Sequence, residues 1–575
     1  MANPPTAGET QPLLAEAIYG ISPAPETVAA ITASPSPLPP SLRHENARRA
    51  VTKDDLLAFA DDSENPKNWP ATFRWMIVCL LAFMAFTVTF TCISVVPFAG
   101  RIVDDLDGRE RSHSSESGVG LASALLVTIW ELGEAAGPLA IAPLSETATW
   151  GRARVLLAAS ALFALATALT AVAPTTTLFI AARGLTGVAV ATNVLNPAII
   201  GDMFPPDQRG AAMSLVQLAP LIGGATGPAI GGALADTWGW RSVLWLSTGL
   251  SVACSFLVWT TFQETYAPAI LSAGRHQRQD ARDGLPDPQT KQTTETLVSS
   301  LPSTSSLSSS TNEPSDTEPL ALGSPPAIAT SPSSSGLRHI WEAVLRPATL
   351  LANSFVLAML ALYGAVIFSQ FYVMSVSLPD ILENRYGLSS AATGTMFLVF
   401  STGAVVSVII CNRCLDPTYR YLTRTRGQLS PLDGVTRIGQ PEFKLPLSTA
   451  CGLLVPLSIA AYGWSAELVL PLPCLLLAEG MLGATMTLTF IPLAAYVVDA
   501  FGLYAASAMT CVMITRCLCG TFLPLTVAPL VAALGYGWGF TVLAGVCLIG
   551  TPVPFVVYIY GERWRQLSKY TRDVC

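Results

Sequence analysis

Long apolar blocks follow one another along most of this chain, at about 73–98, 119–142, 154–173, 176–200, 211–235 and 240–262, and again at about 350–376, 391–412, 446–463, 468–497, 505–534 and 538–560. A helix of roughly 20 apolar residues crosses the hydrocarbon core of a bilayer. The pattern therefore predicts twelve membrane spans in two sets of six. Between the sets, residues 272–338 are Ser, Thr, Pro and charged residues without a period, which cannot bury a core and read as a tether. Residues 1–70 read the same way, with runs such as Ser34-Pro35-Ser36-Pro37-Leu38-Pro39-Pro40. The expected organisation is a disordered cytoplasmic tail over 1–70, a six-helix bundle over 71–265, a flexible cytoplasmic linker over 266–345, a second six-helix bundle over 346–562 and a cytoplasmic tail over 563–575.

Lys and Arg placement sets the expected orientation. With the N-terminus inside, the inner loops collect Arg152, Arg154, Arg209, the linker basics, Arg413, Arg420, Arg424, Arg426, Arg437, Lys444, Arg563, Arg565, Lys569 and Arg572. The outer loops hold Arg101, Arg109, Arg111, Arg241 and Arg385. The positive-inside rule then puts both termini in the cytoplasm, which an even number of spans satisfies. No apolar stretch follows a basic start, so the first span is expected to act as its own signal. The plasma membrane is the expected location. An acidic dileucine form, Glu9-Thr10-Gln11-Pro12-Leu13-Leu14, keeps a vacuolar or endosomal membrane as the alternative.

Composition agrees with a polytopic membrane protein: 51% of residues are hydrophobic and 12% charged, against about 25% charged in soluble domains. The net charge of −7 identifies no partner. The 12 cysteines are scattered through apolar segments and read as packing residues, and none of the 4 histidines lies in a predicted span, so no metal site is expected. No Gly-x-x-x-x-Gly-Lys-Ser/Thr loop occurs, which argues against pumping by ATP hydrolysis. Neither a cofactor nor an enzyme activity is expected.

Within the fifth apolar block, Gly223, Gly227 and Gly231 fall at i, i+4, i+8 of a helix, and Gly224, Pro228 and Gly232 form the adjacent row. A face with so few side chains admits a second helix backbone to backbone, and Pro228 bends it by removing one ladder hydrogen bond. Simple small-residue packing explains an isolated match of this kind. Here the string is longer: it resembles the antiporter motif Gly-x-x-x-Gly-Pro-x-x-Gly-Gly of major facilitator superfamily drug:proton exporters, at Gly223, Gly227, Pro228, Gly231 and Gly232. In that family the bent helix packs against the opposite half of the protein and is thought to limit leak during exchange.

Further strings are similar to the fungal twelve-span drug:proton antiporters. They include Glu64-Asn65-Pro66-Lys67-Asn68-Trp69-Pro70 before the first span, Trp130-Glu131-Leu132-Gly133-Glu134 in the second, and Arg183-Gly184-Leu185-Thr186-Gly187 in the fourth. Glu264-Thr265-Tyr266-Ala267-Pro268 follows the sixth span, and Pro441-Glu442-Phe443-Lys444 and Asp499-Ala500-Phe501-Gly502 continue the likeness. The resemblance covers nearly all of 64–565 and implies an all-α fold of two six-helix bundles around a midplane cavity. It departs from the family at the cytoplasmic latch, usually Ser-Glu-x-x-Gly-Arg-Arg. Here Glu146 and Gly151-Arg152 are separated by four residues, Thr147 to Trp150, and the second Arg is displaced to Arg154. Either a relaxed latch or a misplaced short exon boundary accounts for the expansion.

Ionisable residues inside spans are costly and mark pathways. Glu131 and Glu134 sit at i, i+3 on the second span and so share a helix face. Arg183 lies on the fourth, Glu479 on the tenth and Arg516 on the eleventh. The family resemblance implies a cavity-wall role for Arg183, with the second-span carboxylates as its electrostatic partners. A structural ion pair between Arg516 and Glu479 is the plainer alternative for those two. Asn193 is a candidate for the cavity, while Asn196, before Pro197, is expected to satisfy freed backbone. Trp130, Tyr363, Phe368, Phe371, Tyr372, Met374, Phe490 and Tyr496 would suit an adaptable apolar wall, although such residues are more often plain core or lipid-facing positions.

The leading expectation is a proton-coupled exporter of lipophilic drugs, toxins or secondary metabolites, working by alternating access as a monomer. Its partners would be a small lipophilic substrate, protons and the lipid bilayer, with no nucleic acid. Proton-coupled uptake or exchange of a small nutrient or polyamine uses the same fold and is the alternative. A non-transporting receptor is the more distant one.

Overall fold

The computed structural model describes residues 64–107, 120–145, 147, 150–190, 195–205, 208–274, 348–426, 428–429, 437–501 and 505–567. Most of the two tails, the linker core, Glu146 and Asn193 lie outside the described residues. The first six spans are α1 (Ala71–Ile93), α3 (Leu121–Ser145), α4 (Gly151–Val172), the pair α5 and α6 (Thr176–Val190, Leu195–Met203), α7 (Arg209–Trp238) and α8 (Trp240–Thr261), with the short α2 (Ala99–Asp107) after α1. The second set is α9 (Phe355–Asn384), α10 (Ser390–Arg426), the pair α11 and α12 (Leu445–Gly452, Leu454–Glu467), α13 (Leu472–Phe501), α14 (Ala505–Phe522), α15 (Val527–Gly550) and α16 (Pro552–Leu567). We call the two sets the N half and the C half.

Among the described residues eleven stretches are long and apolar enough to cross a membrane, and the last of them, Ser507–Gln566, runs for 60 residues. It breaks at Gly535, where φ is +75°, a conformation that glycine adopts without a Cβ clash. The Glu467 carboxylate accepts from Tyr536 N–H at 2.9 Å and from Gly537 N–H at 3.4 Å, so a new helix starts there with its orphan donors satisfied. The stretch thus supplies two spans, which brings the described residues to twelve. The one departure from an all-helical chain among the described residues is a hairpin of two-residue strands, β1 (Gln428–Leu429) and β2 (Arg437–Ile438). The described span ends that meet at Arg101–Asp236, Arg101–Glu383, Thr176–Asp107 and Tyr536–Glu467 mark one side of the bundle. We call it the far face, and the side carrying the linker the linker face.

Lipid offers helices no hydrophobic drive to associate, so spans are held by close packing and by polar contacts. The second and fourth spans show this best. A Cβ on Gly133 would lie 2.6 Å from Val188 N, and one on Gly187 would lie 2.7 Å from the Trp130 carbonyl carbon, so the two backbones touch. That contact pins α3 against α5 and fixes which face of α3 carries Glu131 and Glu134.

The glycine rows of α7 divide their work. A Cβ on Gly223 would lie 2.8 Å from Phe86 O, one on Gly227 3.1 Å from Phe90 O, and one on Gly231 would overlap Ser94 O, all on α1 or just after it. This row therefore packs inside the N half. The adjacent row reaches the C half: a Cβ on Gly232 would overlap Ser390 O, and one on Gly394 of α10 would overlap Pro228 O. The expectation that the whole face meets the opposite half is corrected to Pro228 and Gly232, because successive rows on a helix point about 100° apart.

Candidate functional site

Where α3 meets α9 and α14, the carboxylates of the second span face two helices of the C half. Glu131 is fully buried and accepts a hydrogen bond from the Tyr372 hydroxyl of α9. Glu134 is 5% exposed. Its two oxygens each lie 3.4 Å from Nη2 of Arg516 on α14, and the Cys517 thiol is 3.7 Å from Oε2. The Arg516 guanidinium also stacks over Phe368, 4.3 Å from the ring centroid, an arrangement that stabilises a cation away from bulk water. One turn outward, Thr128 donates to Thr521 O at 3.2 Å, another bond between the halves.

The carboxylates' guanidinium is therefore Arg516, not Arg183, and Glu479 is not its partner. Arg183 is 2% exposed and turns to α1, donating to Thr91 O at 3.4 Å and Cys92 O at 2.6 Å. Those carbonyls lie in the last turn of a helix, where a cation is favoured by the helix dipole. Glu479 is fully buried in the C half, and neither of its oxygens has a hydrogen-bond partner. Asn196 is buried at the start of α6.

The aromatic positions gather beside the charged cluster. Tyr372 meets Trp130 at 6.2 Å between ring centroids, Phe368 at 6.1 Å and Phe371 at 5.0 Å, and Phe368 meets Phe490 at 5.6 Å. Tyr363 lies apart: its ring approaches the Gly550 backbone, and a Cβ there would sit 2.9 Å from it. The ligand atoms of Glu131, Glu134 and Cys517 lie within 4.8 Å of one another, a donor set that suits a divalent cation in isolation. The Arg516 guanidinium already takes the place of such a cation against Glu134, so the cluster is balanced without one.

The latch residues lie on the linker face. Gly151 opens α4 with φ at +66°, and a Cβ there would collide with the Glu264 carboxylate. Glu264 accepts from Arg152 N–H at 2.9 Å and Ala153 N–H at 3.1 Å, while the Arg152 guanidinium meets Asp202 at 2.9 Å and lies over Tyr266. Arg154 is exposed. Of the acids holding this latch, Glu264 stands in a family-like string of the sequence, but the pairing of Asp202 and Glu264 with the third span was not legible from spacing.

The far face carries a second charged cluster that the sequence did not single out. Arg101 on α2 meets Asp236 at 2.8 Å and reaches Glu383 of α9 at 3.5 Å. Asp236 accepts from Ala391 N–H at 2.8 Å, and Ser390 donates to Glu383 at 2.7 Å. Arg101–Glu383 and Ala391–Asp236 join the two halves. The linker-face ion pairs Arg152–Asp202, Lys444–Asp499 and Arg565–Glu442 each join elements of one half.

Twelve spans in two halves, a polar cluster bridging the halves and a glycine-faced fifth span packed across them are the architecture of a membrane carrier. The sequence profile of the Major Facilitator Superfamily matches residues 78–524, and the chain belongs to that family. It is a multi-pass membrane transporter. It is 30% identical over 518 residues to the MFS transporter cpaT of Aspergillus oryzae, covering 89% of this chain and 92% of the relative. It is 26% identical over 514 residues to the efflux pump radE of Floropilus chiversii, covering 89% and 84%. Among solved structures, a D-xylose–proton symporter shares the fold with a TM-score of 0.56 at 13% identity, covering 88% of this chain and 99% of that one.

Proposed function

We propose that this transporter is a proton-coupled exporter of small lipophilic compounds, secondary metabolites among them, with Glu131, Glu134 and Arg516 as its coupling centre. The observation carrying this reading is that the Glu134 carboxylate of the N half meets the Arg516 guanidinium of the C half at a buried junction, with Glu131 beside it bonded to Tyr372 of the C half. A proton on Glu134 removes the charge that Arg516 faces, and the attraction across the halves falls with it. The proton load thereby changes the relative stability of the two facing states, which coupling requires. Trp130, Phe368, Phe371, Tyr372 and Phe490 offer flat apolar surface beside the centre, suited to a lipophilic substrate.

Export is favoured over uptake by the Pro228–Gly232 contact and by relatives such as the radE efflux pump. With the linker face taken as cytoplasmic, the Arg101–Asp236–Glu383 cluster holds the two halves together on the outer side. The plasma membrane is the proposed location, with a monomer as the working unit. The test is accumulation of a fluorescent lipophilic compound in reconstituted vesicles with an imposed pH gradient. Transport that survives collapse of the gradient unchanged would overturn proton coupling.

A further inference from the structure

The second span of the C half, α10, runs for 37 residues from Ser390 to Arg426. At the usual helical rise such a length measures about 55 Å, against about 30 Å of bilayer hydrocarbon. Its N-terminal end is held at the far face through Ala391 N–H and Asp236, so the excess projects from the linker face. One side of the helix packs on α13: a Cβ on Gly403 would overlap Gly480 O, Ser407 donates to Ala484 O at 2.8 Å, and Cys411 is buried. On the opposite side Leu398, Val405, Val406, Ile409 and Ile410 are exposed, as side chains facing lipid must be.

The helical period carries this lipid-facing stripe straight into a basic one. Arg413, Arg420 and Arg424 each fall close to a whole number of turns after Val406, and all three are exposed. Residues 411–426 hold four arginines, the fourth being Arg426, and one acid, Asp416. Contacts on the inner side keep the basic face turned outward. Tyr419 meets Phe443 at 6.4 Å between ring centroids, Lys444 lies over the Tyr419 ring at 5.8 Å, and a Cβ on Gly439 would collide with the Tyr419 hydroxyl. Arg426 donates to the Tyr558 hydroxyl of α16 at 3.0 Å.

We propose that this face of α10 binds a phosphoinositide-type lipid, with the acyl chains along Val406, Ile409 and Ile410, the phosphodiester at Arg413 and the ring phosphates at Arg420 and Arg424. The spacing along the axis selects the headgroup. Ile410 is the last apolar residue before Asn412 and Arg413 and so marks the edge of the hydrocarbon. Arg413 stands about 5 Å beyond it, within a headgroup layer about 5–7 Å deep, and Arg420 about 10 Å further out. A headgroup whose charge stays in the phosphate layer reaches the first arginine alone, whereas one with phosphates on a ring standing up from the bilayer reaches both. Guanidinium forks pair bidentately with phosphate oxygens. A soluble acidic segment would use the arginines but has no use for the apolar stripe that leads into them. The site is independent of the proton coupling read above.

The experiment titrates the purified full chain with phosphatidylinositol bisphosphate, with phosphatidylserine and with soluble inositol trisphosphate, and counts the complexes by mass spectrometry of the intact protein. The phosphoinositide is expected to bind most tightly. Each arginine near an anionic headgroup is worth roughly fivefold in affinity, so Arg413→Gln/Arg420→Gln is expected to weaken the phosphoinositide roughly 30-fold. Arg241→Gln/Arg385→Gln removes two exposed charges at the far face and is expected to leave it unchanged. Equal weakening by the two pairs would reduce the effect to net charge and overturn the site. Arg420→Gln alone is expected to cost the phosphoinositide roughly fivefold and phosphatidylserine nothing; equal loss for both lipids would refute the order along the axis. Phosphatidylserine bound as tightly as the phosphoinositide would overturn the choice of headgroup. Inositol trisphosphate bound as tightly as the lipid would make the partner a soluble polyanion instead of a lipid.

Discussion

Arg516 Nη2 lies 3.4 Å from both carboxylate oxygens of Glu134, although the two residues are 382 positions apart and stand in opposite halves of the fold. At that length each contact is a loose hydrogen bond, and most of the attraction is between the charges. A pair that must separate whenever the halves separate is better served by such a contact than by a tight bidentate one. Removing one partner leaves the other charge buried without compensation, which costs about 3–5 kcal/mol in rigid sites. Arg516→Gln is therefore expected to lower the amount of folded protein, and the double variant Glu134→Gln/Arg516→Gln to restore it while leaving gradient-driven efflux absent. Membrane abundance and vesicle transport, read together, check this. Restored transport in the double variant would move coupling away from the pair.

Gly232 and Gly394 set how closely the halves meet, because a Cβ on either would overlap a backbone carbonyl of the other half, at Ser390 and Pro228. Overpacking of this kind costs about 1–3 kcal/mol, or roughly a 5- to 150-fold shift between two facing states. Gly232→Ala and Gly394→Ala are expected to favour the state open at the far face, read as increased labelling of cysteines introduced there. Gly224→Ala serves as the control, since its Cβ would meet only the Thr89 methyl at 3.7 Å. Equal labelling in all three would show that this contact does not set the equilibrium.

Arg183 serves carbonyl oxygens at the end of α1, and carbonyls do not demand a planar fork as a carboxylate pair does. Arg183→Lys is expected to fold and export at a substantial fraction of the parent rate, whereas Arg183→Ala leaves Thr91 O and Cys92 O unserved and reduces folded protein. A well-folded Arg183→Lys variant with no gradient-driven export would return Arg183 to the coupling step.

The linker-face latch depends on Gly151, whose φ of +66° and whose contact with Glu264 both exclude a side chain. Forcing a non-glycine residue into the left-handed region costs roughly 1–2 kcal/mol before the collision is counted. Gly151→Ala is expected to lower thermal stability by at least that much. Glu264→Gln keeps the acceptor for Arg152 N–H, loses the one for Ala153 N–H, and is expected to cost less. Unfolding curves of the purified variants decide the order.

Local sequence was enough for the twelve spans, because hydropathy and helix length are properties of consecutive residues and the bilayer demands both. The positions of Glu131 and Glu134 on one face and the bare row of α7 follow from the 3.6-residue period alone. Family likeness in short strings also pointed to the superfamily. What sequence did not contain was the choice of partner. A guanidinium on the eleventh span is compatible with any carboxylate the fold brings near it, and only tertiary packing selects Glu134 over Glu479, with α3 held in rotation by the Gly133–Gly187 contact. The same packing turns Arg183 toward α1, leaves Glu479 without a partner and joins Arg101 to both Asp236 and Glu383. Periodicity assigns a residue to a face of its own helix. Which helix lies opposite that face depends on how all twelve pack together.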